Sequence, residues 1–164
     1  MKILNQNQIK QKIRRLSFEI LEQNYNEKQI ILAGINNNGM HFAKMLLKEL
    51  RKISDVQFTL MNVHLNPAQP LASPVEIDLP VKELKNKVII MIDDVANTGR
   101  TIFFAMKPLM ESLPKKIEAA VLVDRTHKSF PIKVDYVGLS LATTLKDNID
   151  VQLDGYDEMS VYLD

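Results

Sequence analysis

Five consecutive apolar residues, Val88-Ile89-Ile90-Met91-Ile92, run directly into two acids, Asp93 and Asp94. A short run rich in β-branched residues and apolar at every position is what a strand buried on both faces requires. The acids are followed by a loop of small residues, Val95-Ala96-Asn97-Thr98-Gly99, and then by Arg100-Thr101, which opens a helical stretch. Strand, acidic pair, small loop and helix start in that order describe an α/β ligand site at the carboxyl end of a central strand.

Each part of this stretch carries its own chemistry. Asn97, Thr98 and Gly99 can aim backbone N–H groups at an anion, and Gly99, lacking Cβ, lets the anion approach closely. The helix dipole and the hydroxyls of Thr98 and Thr101 add to a phosphate site. Asp93 and Asp94 would repel a phosphate that they faced. They suit sugar hydroxyls, or a Mg²⁺ held through water. A phosphate at one end and a diol at the other describe a ribose 5-phosphate. The plainer alternative is an acidic strand end before an ordinary N-capped helix. One glycine is too few for a dinucleotide fingerprint, and the Gly-Lys-Ser/Thr of a P-loop is absent.

On these residues the chain resembles the type I phosphoribosyltransferases. Their signature for phosphoribosyl pyrophosphate (PRPP) is a hydrophobic strand, two acids, a short spacer, Thr-Gly, any residue, and Thr or Ser. The resemblance implies that Asp93, Asp94, Val95, Ala96, Asn97, Thr98, Gly99, Arg100 and Thr101 bind PRPP, with Mg²⁺ as cofactor. It also implies a loop closing over PRPP near Asn62–Pro74. There the usual residues are replaced by Leu60-Met61-Asn62-Val63, followed by a stretch with Pro67, Pro70 and Pro74. Three prolines so close exclude a helix and most ladder pairing. His64, beside this stretch, reads as a bystander.

The rest of the chain alternates helix and strand patterns. Gln6 to Gln23 reads as an amphipathic helix with Ile9, Ile13, Leu16 and Ile20 inward. Its cations Lys10, Lys12, Arg14 and Arg15 form either a solvated face or a contact to RNA or a partner subunit. Gln29 to Ala33 reads as a buried strand and Met40 to Arg51 as a helix. The loop between them holds Asn36, Asn37, Asn38 and Gly39. By the resemblance this loop binds pyrophosphate, with Asn38 where a Lys or Arg usually stands. Equally, it reads as a tight turn in which Asn tolerates positive φ. Val56 to Val63 reads as a strand. A third helix runs from near Thr101 toward Ser112, with a kink or early break expected at Pro108. Ile117 to Val123 is another buried strand, Leu139 to Leu141 a further segment, and Val151 to Leu163 two short strands about an Asp-Gly turn. The expected architecture is one domain over residues 1–164. It has a mostly parallel central sheet, helices on both faces, and a small irregular or antiparallel cap.

Val121 to His127, Phe130 to Gly138 and Val151 to Asp154 narrow the resemblance to the bifunctional pyrimidine operon regulators with uracil phosphoribosyltransferase activity. That match implies Lys133 at an exocyclic base oxygen, Tyr136 and Val137 near the base wall, and Asp154 at the pyrophosphate-bound Mg²⁺. The simpler roles are a surface lysine, a core aromatic and a turn acid. Asn97 stands where purine enzymes carry a catalytic Asp; an amide accepts no proton at neutral pH, which argues against purine salvage. The implied partners are PRPP with a nucleobase or nucleoside monophosphate, and a second copy of the chain in a dimer. RNA is the partner in the alternative of a catalytically weak, nucleotide-sensing regulator. The 164 residues carry a net charge of +1 and no cysteine. These exclude disulfides and thiolate chemistry and give no general nucleic-acid signal. The start, MKILNQNQIKQKIRR, has no apolar targeting core, so a cytoplasmic, membrane-free protein is expected.

Overall fold

A computed structural model describes residues 1–144 and 146–164. Its main sheet has six strands in the order β4-β3-β2-β5-β6-β7. In chain order these are β2 (Gln29–Ile35), β3 (Gln57–His64), β4 (Glu76–Ile77), β5 (Val88–Ala96), β6 (Lys116–Arg125) and β7 (Tyr136–Leu141). All neighbours are parallel except β3 and β4. β5 lies between β2 and β6, so its acidic end stands at the middle of the sheet.

The unbroken apolar run of β5 is explained by what covers each face. Val88, Ile90 and Ile92 join a core with α1 (Gln6–Gln23) and α2 (Asn36–Ile53). Ile89 and Met91 join a second core with α3 (Arg100–Ala105) and the 3₁₀ turns at Val81–Leu84 and Lys107–Glu111. Period-two alternation therefore buries every residue of the run.

Helix α1 has the expected bounds and is fixed by a reciprocal cap. The Gln8 N–H donates to Asn5 Oδ1, and the Asn5 N–H to Gln8 Oε1, both at 2.9 Å. Its cations do not form one face. Lys10 and Arg14 border a groove against Met45 and Glu49 of α2. Arg15 donates to the carbonyls of Val137 and Gly138 at 3.2 and 2.7 Å, blunting the free edge of β7.

Two boundaries differ from expectation. β2 continues to Ile35 and α2 begins at Asn36, so the expected loop 34–39 is the end of a strand joined directly to a first helical turn. The joint is made by Asn36, whose φ is 52°. The third helix breaks early, as its proline requires: α3 ends at Ala105 and Pro108 sits in the following 3₁₀ turn.

The cap is a separate antiparallel sheet in the order β1-β9-β8. It joins β8 (Ile149–Gln152) and β9 (Ser160–Leu163), with Gly155 at φ 79° between them, to β1 (Lys2–Leu4), which the pattern did not reveal. Three residues are too few to carry a periodicity. Among the described residues no helix is long and apolar enough to cross a membrane.

Candidate active site

The carboxyl ends of β2 and β5 open into a two-lobed cleft. One lobe, about 500 Å³, is lined by Val95 to Ile102 with Pro67 and Ala68. The other, about 480 Å³, is lined by Asn36, Asn37, Asn38, Asp93, Asp94 and Ile149, among others. Pro67, Val95, Asn97 and Thr101 border both. The two loops singled out from the sequence thus meet across one space, with the acidic pair between them.

In the first lobe the turn is set by Gly99, at φ 87° and ψ −1°. A Cβ there would lie 3.2 Å from Cβ and Cγ1 of Ile132, so the bare face of Gly99 is turned to the 128–132 segment. The missing side chain therefore serves the backbone conformation and this packing. Arg100 donates to the Pro67 carbonyl at 2.7 Å, strapping the proline-rich segment over this lobe.

In the second lobe, α2 starts without a side-chain cap. Its first-turn N–H groups and dipole therefore remain available to an anion. Gly39 is not among the residues that line this lobe. It is buried, and a Cβ on it would lie 2.4 Å from the Ile92 carbonyl oxygen and 3.4 Å from Asp93 Cα. Its missing side chain lets the first turn of α2 lie directly against β5 and brings Asn38 beside the acids. Asn36 accepts from the Leu65 N–H at 3.1 Å, tying the helix start to the strap after β3. Asn36 makes the tight turn, with φ 52°, and lines the cleft together with Asn37 and Asn38.

Asp93 is buried and Asp94 half-buried. Each accepts from the next backbone N–H, Asp94 and Val95 respectively, at 2.9 Å. Burial, and then the charge of Asp94, hold the Asp93 carboxyl well above the usual carboxylate range.

The three residues expected at the base are not among those that line the two lobes. The Lys133 side chain is 88% exposed and stands 3.7 Å from Asp135. Tyr136 is buried under α1; its hydroxyl donates to Glu118 and accepts from Asn24 at 3.2 Å. It is a core aromatic, with burial and then Glu118 raising its pKa. The Val137 carbonyl is taken by Arg15. None of the three lines the cleft. Ile149, Pro67 and Ala68 do, and the sequence pattern singled out none of them individually. The proline cluster marked the strap as a whole; Ile149 carries no local signal.

Asp154 is exposed, with Oδ2 3.4 Å from His41 Nε2. His41 lies one turn along α2 from Asn38. Among the described residues, no three His, Cys, Asp or Glu are grouped to hold a metal. Mg²⁺ usually binds through one or two carboxylates plus phosphate and water rather than an all-protein cage.

Comparison with known proteins agrees with this geometry. Residues 1–156 match the family model described as "Phosphoribosyl transferase domain". Over 94% of this chain and 89% of the relative, the sequence is 34% identical to "Bifunctional protein PyrR" of Caldicellulosiruptor bescii. It is 36% identical to the protein of that name from Streptococcus agalactiae, over 93% and 91%. The fold is similar to a hypoxanthine-guanine phosphoribosyltransferase of Bacillus anthracis, with a TM-score of 0.76 at 18% identity over 98% and 97% of the two chains. A hypoxanthine phosphoribosyltransferase of Trypanosoma cruzi gives 0.77 at 14% over 99% and 95%. The residues that line the cleft and the match across nearly the whole chain lead to the same place: this chain belongs to the phosphoribosyl transferase domain family.

Proposed function

We propose that this protein is a Mg²⁺-dependent phosphoribosyltransferase that moves the ribose 5-phosphate group of PRPP to a nucleobase, uracil favoured, releasing pyrophosphate in nucleotide salvage in the cytoplasm. One observation carries this reading. A left-handed glycine loop and an uncapped helix start face one cleft with an acidic pair between them. PRPP has the same order: a 5-phosphate, a diol, and a pyrophosphate.

In this reading the 97–101 backbone and the hydroxyls of Thr98 and Thr101 hold the 5-phosphate. Asp93 and Asp94 accept from the ribose hydroxyls. The first turn of α2, through Asn37 and Asn38, receives the pyrophosphate. Mg²⁺, held by Asp154, would neutralise charge on the leaving pyrophosphate. Transfer passes through a ribosyl cation, so positioning and charge stabilisation are the chain's main contributions. Asn97 supplies an amide near the reacting carbon but no base, which suits a pyrimidine held by hydrogen bonds. The test is pyrophosphate release from PRPP and Mg²⁺ across uracil, hypoxanthine, guanine, xanthine, adenine and orotate. Release with uracil is expected; silence with every base overturns the reading.

The relatives' shared name, "Bifunctional protein PyrR", favours a second role beside the first. That role is an RNA-binding regulator of pyrimidine genes that senses nucleotides in the same cleft. Lys10 and Arg14 at the α1–α2 groove are the cations placed for RNA phosphates. Binding would weaken steeply with salt. Absence of RNA binding at low salt, with and without nucleotide, removes this role.

A further inference from the structure

We propose that Lys128 is a positioning residue for the phosphate loop: its ammonium clamps the ends of β5 and β6 and turns the loop's N–H groups into the cleft. The inference rests on the reading of residues 97–101 as the 5-phosphate site.

Lys128 lies just beyond β6, with only 18% of its side chain exposed. Its Nζ stands 2.6 Å from Asp124 Oδ1, donates to the Arg125 carbonyl, and lies 3.5 Å from the Ala96 carbonyl oxygen. An ammonium has three donors, and here each faces a protein acceptor. Ala96 and Asp124 are the final register pair between β5 and β6. The ammonium thus bridges two strands where their ladder stops and the phosphate loop begins.

The segment after Lys128 continues the clamp. The N–H groups of Ser129 and Phe130 both donate to the Thr98 carbonyl, at 3.0 and 3.2 Å. Ile132 packs on Gly99, and Lys128 Cδ lies 3.4 Å from where a Gly99 Cβ would be. Residues 128–132 form the back wall of the loop.

The consequence follows from peptide geometry. In a planar trans peptide the C=O and the next N–H point in opposite directions. The Ala96 carbonyl is drawn toward Lys128, so the Asn97 N–H points away from it. The Thr98 carbonyl is drawn toward residues 129 and 130, so the Gly99 N–H points away from them. Asn97, Thr98 and Gly99 line the cleft, and none of residues 128–132 does. The clamp removes two carbonyl oxygens from the anion's side and leaves two donors there. Asp124 keeps the lysine in place: a buried ammonium without a carboxylate would be expelled toward water.

The test compares Lys128→Met, Lys128→Arg and Asp124→Asn by calorimetric titration with inorganic phosphate, uridine monophosphate, PRPP and uridine. Lys128→Met and Asp124→Asn are expected to weaken the three phosphate-bearing ligands at least about tenfold and leave uridine unchanged. Combining them should add little, because both break one clamp. Lys128→Arg should restore most of the affinity. In Lys128→Met, amide exchange at residues 97–99 should rise. Unchanged phosphate affinity in a folded Lys128→Met protein overturns the proposal, as does equal weakening of phosphate ligands and uridine. If that variant does not fold, unchanged affinity in Asp124→Asn overturns it. A wild-type protein that binds PRPP while the variants bind equally well refutes the clamp alone. A wild-type protein that binds no phosphate ligand refutes the site reading and the clamp with it.

Discussion

Gly99→Val probes the centre of the site, and its expected cost has two separable parts. Gly99 holds φ 87° and ψ −1°, where an L side chain costs about 1–2 kcal/mol in backbone conformation. Its Cβ would stand 3.2 Å from two carbons of Ile132, so a branched side chain must push the 128–132 wall outward. Overpacking of this kind costs about 1–3 kcal/mol. Together these give about 2–5 kcal/mol, a fall in melting temperature of roughly 4–20 °C for a chain of this size. Gly155→Val is the matched control. Gly155 also has positive φ, 79°, but a Cβ there meets nothing within 4 Å, so only the backbone part applies. Urea unfolding should place Gly99→Val below Gly155→Val by about 1 kcal/mol or more. Titration with inorganic phosphate and PRPP should show affinity reduced at least about tenfold for Gly99→Val only. The loss would come from a displaced loop, since the new side chain points at Ile132 and not into the cleft. Equal stability of the two variants, or wild-type phosphate affinity in Gly99→Val, would refute the reasoning.

Three further outcomes are expected. Asp93→Asn should stabilise the protein at neutral pH. A carboxyl whose folded-state pKa is raised keeps its proton more tightly when folded, so stability falls as pH climbs from the unfolded value through the folded one. The gain of the asparagine variant should be present at pH 8, shrink toward pH 4, and accompany weaker PRPP binding; urea unfolding at the two pH values measures it. Tyr136→Phe removes the buried hydroxyl that Glu118 and Asn24 share, at a cost of about 1–3 kcal/mol by denaturant unfolding. Uracil and nucleotide affinity should not change, and a selective loss of base binding would return Tyr136 to the base wall. Arg100→Ala frees the Pro67 carbonyl and should speed limited proteolysis between Leu65 and Val75 several-fold at unchanged melting temperature; an unaltered cleavage rate counts against the strap.

Much of the 93–101 lobe was legible because its determinants are contiguous. A strand buried on both faces, two acids, a small loop and a helix start leave a local record. The bounds of α1 were legible for the same reason, since four apolar residues at helical spacing define one stripe. The 34–39 side of the cleft was only half legible. Gly-Ile-Asn-Asn-Asn-Gly looks like a loop because glycine and asparagine are turn residues. Yet Gly39 serves packing against the Ile92 carbonyl, and Asn36 alone makes the turn. The segment expected at the base was the least legible. Tyr136 sits in a segment that permits either a binding wall or a core, and only the packing of α1 over β7 decides for the core.

The sequence by itself therefore determined the central strand, the acidic pair at its end, the small loop ending in Gly99 and the α/β alternation. Each depends on residues within a few positions of one another. Only the tertiary structure decided that Asn37 and Asn38 face Asp93 across one cleft, that Ile149 and Pro67 border it, and that Lys128 stands behind the phosphate loop. Those relations depend on strand order and on one close helix–strand contact at Gly39. Sheet neighbours far apart in the chain leave no periodicity to read, so which side chains meet is settled by packing.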